Sequence, residues 1–278
     1  VPMLRKLWKH EWKATYRLLL AVHLILLFMG LAGYLIQGFL ENGPVPSVVG
    51  GLYMILFFLI TLAAFLLTHF LMISRYYRNF FTAEGYLVHT LPVGPGNKLA
   101  AKCLNHLVWT LIDLACVVSA VMLVTSAVPS QEQVRGLLRA LPSAAEAMGF
   151  SSVPAMIFAL LGLFLLTLAS GILMFYAAIS LGSLFPSHRV LGSVLCWLGL
   201  WIAGQAVNIT VLAVNFGKYA FQRGETIEAA GQQLTMPPEQ VTAMFGTFLG
   251  TVGAAAAVLG TVYYLISYFV LSKKLNLD

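Results

Sequence analysis

Residues 18–40 read LLLAVHLILLFMGLAGYLIQGFL, a stretch without a single Asp, Glu, Lys or Arg. An α-helix rises about 1.5 Å per residue, so about 20 apolar residues cross the roughly 30 Å hydrocarbon core of a bilayer. The stretch is longer than most helices of soluble proteins, and its apolar residues surround the whole helix. It therefore predicts a transmembrane helix.

Five further segments have the same character, and the composition of the whole chain agrees with them. Hydrophobic residues make up 60% of the 278 residues and charged residues 9%, whereas a soluble domain is about 25% charged. Such a chain has too few polar side chains to cover a soluble surface. We predict an all-α membrane protein with a single transmembrane domain over residues 1–278. Its six spans are expected at residues 18–40, 48–73, 104–128, 154–185, 190–216 and 243–271.

The basic residues indicate how these spans are oriented. The net charge is +6, and twelve of the 16 lysines and arginines fall on one side of the predicted spans. The positive-inside rule places that side, with both termini, in the cytoplasm. The basic residues form short clusters beside apolar runs, a pattern that favours anionic lipid headgroups and argues against nucleic acid. On the opposite side, short helices are expected at residues 131–141 and 226–234.

The N-terminal stretch 3–17, MLRKLWKHEWKATYR, is predicted to be an amphipathic helix lying in the cytoplasmic interface. Trp8 and Trp12 are four residues apart and share a helical face, while Lys9 and Lys13 lie among the cations around it. Tryptophans at headgroup depth and cations toward anionic lipid are typical of interfacial helices. The alternative is a plain basic flank of the first span.

The cytoplasmic connection 74–102 carries a second short helix. Apolar residues recur at helical spacing over residues 80–91, and Pro92 ends the pattern. A short amphipathic helix joined to two spans acts as a lever, because a force applied to it by a soluble partner moves both spans.

No sequence motif of an enzyme is present. The chain has no P-loop, no H-E-x-x-H and no G-x-S-x-G, and its six histidines are scattered, so neither catalysis nor a metal site is expected. Asp113 is the one acid predicted inside a span, where it is either a helix-packing carboxyl or part of a pathway. Gln205 and Asn208 share a face of the fifth span and have the same two interpretations.

Three blocks of the sequence resemble a bacterial family, the ABC-2-type permease subunits of ABC exporters, including type V exporter-like members. The blocks are MLRKLWKHEWKATYR at 3–17, EGYLVHTLPVGPGNKLAAK at 84–102 and LISYFVLSKKLNLD at 265–278. The family often has Ser or Thr after the Pro-Val of the second block, where this chain has Gly94.

The resemblance implies a permease of the bacterial plasma membrane that is not itself an enzyme. Two such subunits pair as a homo- or heterodimer and bind two copies of a separate ATPase, which holds ATP and Mg. The helix over residues 80–91 is then the coupling helix that docks on the ATPase. The residues implied in coupling are Phe81, Glu84, Gly85, Tyr86, Leu87, Thr90, Leu91 and Pro92.

Two other function classes fit the same spans. A secondary transporter or channel usually shows internal repeats, broken helices and several buried ionisable groups, whereas one buried acid is predicted here. A signalling or assembly scaffold would use the cytoplasmic helix without transport. The sparse charge along the spans favours an amphipathic substrate, such as a lipid, a peptide antibiotic or a hydrophobic drug.

Overall fold

A computed structural model describes residues 2–42, 47–125, 131–185, 187–230 and 238–273. All the regular structure in these ranges is α-helical. The helices are α1 (Pro2–Asn42), α2 (Ser47–Phe81), α3 (Ala83–Thr90), α4 (Pro95–Val124), α5 (Gln131–Ala147), α6 (Val153–Gly182), α7 (Arg189–Ala230) and α8 (Pro238–Lys273). Six of them, α1, α2, α4, α6, α7 and α8, are long and apolar enough to cross a membrane. The predicted all-α fold with six spans is confirmed to that extent.

Several helix boundaries differ from the predicted ones. The interfacial segment 3–17 and the first span form one unbroken helix, α1, because residues 3–29 contain neither Pro nor Gly to interrupt it. Helix α7, which has no proline, continues to Ala230. The separate helix predicted at 226–234 is wrong over 226–230, and its remaining residues lie outside the described part of the chain. The helix predicted at 131–141 is present and extends to Ala147.

Helices α1 to α4 form one compact unit, and α5 to α8 form a second. In the first unit α1 lies along α4 and α2. Buried apolar clusters in this unit include one around Leu19, Met72 and Trp109 and another around Leu26 and Phe57. The prediction of a single permease domain over residues 1–278 stays a prediction.

A glycine sets the distance between α1 and α4. A Cβ at Gly30 would lie only 2.8 Å from the Cα of Ala120 on α4. Small residues that allow two backbones to approach closely are the usual basis of helix association in lipid.

In the second unit, α6 packs against both α8 and α7. Gly260 of α8 faces Ser170 of α6, and the Asn215 side-chain amide of α7 donates a hydrogen bond of 2.8 Å to the Thr251 hydroxyl of α8. Large apolar side chains such as Phe28, Phe158 and Ile209 are exposed on the outer faces of both units. An exposed apolar surface of this extent suits contact with lipid tails.

We expect Gly30→Leu to destabilise the first unit by about 1–3 kcal/mol, the usual cost of overpacking a tight contact. The measurement is thermal unfolding of the purified protein in detergent. Gly38→Leu on the same helix is the matched control, because a Cβ at Gly38 has no described atom within 4 Å. An equal melting temperature for Gly30→Leu and Gly38→Leu would contradict the close contact.

Candidate functional site

The connection between α2 and α4 presents α3 as a short separate helix. Thr82 ends α2 in an extended conformation, and its hydroxyl donates a hydrogen bond of 2.7 Å to the Arg78 carbonyl. At the other end Leu91 is extended, and Pro95 begins α4 with Gly94 as its N-cap. The helix predicted over residues 80–91 is therefore broken at Thr82, and Phe81 belongs to the end of α2.

The outer side of α3 is apolar and exposed. Tyr86 is 66% exposed and Leu87 71% exposed, and Leu91 just beyond the helix is exposed as well. Gly85 is buried on the opposite side. Phe81 is the other buried member of the predicted coupling set, at 2% exposure, because it packs on Tyr76 inside the end of α2. Tyr86, Leu87 and Leu91 are thus available for contact with a partner, whereas Phe81 is part of the packing inside the end of α2.

A network of charged and polar side chains connects α3 to three spanning helices. The Glu11 carboxylate of α1 lies 2.8 Å from the Lys102 ammonium of α4 and 3.2 Å from the Arg75 guanidinium of α2. The Lys102 ammonium also donates a hydrogen bond to the side-chain oxygen of Asn79. Asn79 in turn donates to the Glu84 carboxylate of α3 at 3.4 Å. These contacts link α3 to the ends of α1, α2 and α4 that lie beside it.

Two features strengthen this network. The Lys102 side chain is only 7% exposed, so its ion pair with Glu11 is screened less by water and salt than a surface pair. Glu84 also forms an exposed ion pair with Arg78 at 2.5 Å, which adds a contact between the first turn of α3 and the last turn of α2. Sequence reasoning named Glu84 among the coupling residues but missed the rest of the network. The one available signal was Glu11, the single acid in the basic stretch 3–17.

His89 holds the last turn of α3 against the end of α2. Its Nε2 lies 3.3 Å from the Phe80 carbonyl oxygen, which can only accept, so Nε2 carries the hydrogen. The imidazole also lies 5.8 Å from the Phe80 ring. Burial lowers the pKa of His89 below its ordinary value, and the nearby Lys98 ammonium acts in the same direction. His89 is therefore neutral at pH 7 when α3 is packed in place.

The tryptophans of the N-terminal segment lie differently from the prediction. Trp12 stacks on Trp109 of α4 with ring centroids 4.6 Å apart and an interplanar angle of 12°. The Trp109 indole N–H donates a hydrogen bond of 3.1 Å to the Thr15 hydroxyl of α1, and Trp8 packs beside Trp12. This stripe is thus half-buried between α1 and α4, although it was predicted to face lipid headgroups. Lys9 and Lys13 are exposed, as expected for a solvated face.

Asp113 has a partner that the sequence did not reveal. The Nε2 atom of His23 on α1 lies 3.2 Å from Oδ1 of Asp113, and both side chains are almost fully buried. The Nδ1 atom of His23 donates to the Leu19 carbonyl at 2.6 Å, which leaves Nε2 facing the carboxyl group of Asp113. Both residues occupy predicted spans, but their pairing joins positions far apart in the sequence.

The other predicted polar positions lie on α7 of the second unit, where Gln205 is half-buried and Asn208 is exposed. Among the residues that the structure describes, no group of three or more His, Cys, Asp or Glu residues has the arrangement of a metal site.

No family model, curated protein or solved structure matches this chain. The candidate site is therefore defined by its own geometry. It consists of the exposed apolar side of α3, with Tyr86, Leu87 and Leu91, and of the polar network beneath it.

We expect His23→Leu and Asp113→Leu each to destabilise the first unit by about 3–5 kcal/mol, since either change leaves a buried polar group without its partner. The double variant should recover most of that loss, because two apolar side chains in place of a buried pair are often neutral. The measurement is a double-mutant cycle of unfolding in detergent. Additive effects of the two substitutions would contradict a direct His23–Asp113 interaction.

A second prediction follows from His89. When α3 is detached, the pKa of His89 returns to its ordinary value of about 6.5. The contribution of neutral His89 to the packing of α3 is therefore complete when the pH is above this ordinary pKa. It is lost as the pH falls from the ordinary pKa toward the lowered pKa of the packed state. As the pH falls from about 7.5 to about 5.5, a range that brackets the ordinary value, the protection factors of the amides of residues 83–90, corrected for the intrinsic exchange rate at each pH, should decrease.

The control is a pair of histidine substitutions. His89→Phe should remove the additional pH dependence, whereas His188→Phe should keep it, because His188 is exposed at the start of α7. The same pH dependence in His89→Phe as in the unmodified protein would show that His89 does not hold α3.

Proposed function

We propose that this protein is the membrane-spanning permease subunit of an ATP-driven exporter, and that a separate ATPase subunit docks on α3. The observation that carries the proposal is the exposed apolar side of α3. This helix lies between two spanning helices, and hydrogen bonds through Asn79 link it to the partly buried ion pair of Lys102 with Glu11 on a third. The resemblance of blocks 3–17, 84–102 and 265–278 to ABC-2-type permeases supplies the class of partner.

The connections of α3 suit a transmitting element. A single residue, Thr82, separates it from α2, and residues 91–94 separate it from α4. Short links and the Glu84–Arg78 pair allow little independent motion, so displacement of α3 moves α2 directly. Through Asn79 and Lys102 the displacement reaches Glu11 on α1. ATP-driven closure of a docked ATPase would in this way change the packing of α1, α2 and α4.

The ATPase would hold ATP and Mg, since this sequence has no P-loop. Two permease subunits, as a homo- or heterodimer, and two ATPase copies make up the proposed complex, with α3 and both termini on the cytoplasmic side of a bacterial plasma membrane. An amphipathic substrate is proposed because few charges lie along the spans.

The His23–Asp113 pair favours one other function, proton-coupled secondary transport. Buried ionisable pairs inside a membrane mark proton relays in many transporters. The two functions differ in their energy source. Uptake into inverted vesicles that requires ATP and persists without a proton gradient supports the exporter, and uptake driven by the gradient alone supports the secondary transporter.

We expect Leu87→Asp to weaken association with the ATPase by more than about tenfold, because it places an unpaired carboxylate in an apolar contact. The measurements are co-purification of a P-loop ATPase from the native membrane and substrate-stimulated ATP hydrolysis by the complex.

Leu137→Asp is the matched control. Leu137 is a similarly exposed leucine on α5, a helix proposed to lie on the opposite side of the membrane, so its substitution should leave ATPase association unchanged. If α3 instead lies on lipid headgroups, a well-folded Leu87→Asp variant keeps its full ATPase association, and the coupling proposal is wrong.

A further inference from the structure

The second unit contains a cleft of about 410 Å³ between α6 and α8. Its walls run from Ala159 to Leu166 on α6 and from Gly246 to Gly253 on α8, and residues 148–150 also line it. Every lining residue is a glycine or carries an apolar side chain. The volume lies in the usual range of ligand-binding pockets, about 300–1,000 Å³.

Two glycines of α8, Gly246 and Gly250, face this cleft and not a neighbouring helix. A Cβ at Gly246 or Gly250 would have no described atom within 4 Å. Further along α8, helices α6 and α8 are in closer contact, and Gly260 of α8 lies against Ser170 of α6. The small residues of α8 thus permit close packing at one end and leave open space at the other.

The dimensions of the cleft decide what fits inside it. Eight residues along each wall rise about 10 Å, about a third of the roughly 30 Å over which a spanning helix crosses the hydrocarbon core. A spanning helix from another subunit would therefore leave most of its length outside the cleft. A hydrocarbon chain is narrower than a helix, and the lining offers it no polar side chain to desolvate.

Helix α5 provides an apolar approach to the cleft. At 100° per residue its apolar and charged residues separate onto opposite faces. The apolar face consists of Val134, Leu137, Leu138, Leu141, Ala145 and, just past the helix end, Met148. Val134, Leu137 and Leu138 are exposed, Ala145 is buried, and Met148 lines the cleft itself. An amphipathic helix of this kind lies in the membrane interface.

The end of α5 is fixed beside the mouth of the cleft. The Thr242 hydroxyl of α8 donates a hydrogen bond of 2.9 Å to the Ala147 carbonyl, and Gly149, with a φ of 80°, turns the chain toward α6. The apolar face of α5 therefore leads from the interface directly into the space between α6 and α8.

The geometry points to a binding site for one acyl chain of a membrane phospholipid in the cleft between α6 and α8, entered along α5. The charged face of α5 carries two arginines and two glutamates, Glu132, Arg135, Arg139 and Glu146, so the headgroup is selected weakly and the hydrocarbon chain provides the affinity. This site lies in the second unit and does not depend on coupling through α3.

The test is titration of the delipidated protein in detergent with dioleoyl phosphatidylethanolamine, followed by native mass spectrometry. We expect one lipid per chain to bind more tightly than all others. Gly250→Phe fills the cleft and should weaken that binding step by at least about tenfold. Gly246→Phe fills the same cleft from the preceding turn and gives an independent variant should Gly250→Phe fold poorly.

Gly162→Phe is the matched control. Gly162 is an exposed helical glycine of α6 without a described atom within 4 Å of a Cβ, and it does not line the cleft. It should bind the lipid as the unmodified protein does, and dihexanoyl phosphatidylethanolamine, whose chains are short, should not reproduce the tight step. Unchanged binding in both Gly250→Phe and Gly246→Phe, or equal loss in Gly162→Phe, would overturn the proposal.

Discussion

The structure depends on the absence of water around most of its length. In the hydrocarbon core an unpaired backbone N–H or C=O costs several kcal/mol, about as much as a buried amide without a partner, and an α-helix satisfies all these groups within one segment. Lipid tails are as apolar as leucine, however, so burial alone does not hold the helices together. Close backbone contact at Gly30 and buried polar pairs such as His23–Asp113 and Asn215–Thr251 supply that attachment.

The six spans could be predicted because each depends on the local run of apolar residues. What the sequence could not supply was the pairing between spans. Asp113 was recognised as a buried acid, but its partner His23 lies on another helix and nothing local links the two. Trp8 and Trp12 were assigned to the lipid interface on a periodicity that equally suits packing against a second helix, and Trp109 provides that helix.

The candidate site shows the same division. The exposed Tyr86 and Leu87 follow from their spacing on a short helix ended by Pro92. The break at Thr82 depends on one side-chain hydrogen bond to Arg78, which helical periodicity does not predict. The role of Glu11 depends on two cations from distant segments. The local spacing of apolar residues was thus enough to predict the exposed surface of α3. The polar network beneath that surface could be seen only in the tertiary structure.

The distance in sequence between His23 and Asp113 has a consequence for biosynthesis. At about 5–20 residues per second, the ribosome takes roughly 5–18 seconds to reach Asp113 after His23 has been made. A lone aspartate at the centre of an inserting helix costs about 2.5–3.5 kcal/mol on the translocon scale. That cost falls once His23 is within reach, so the first helix is expected to wait beside the translocon until the helix bearing Asp113 enters the bilayer.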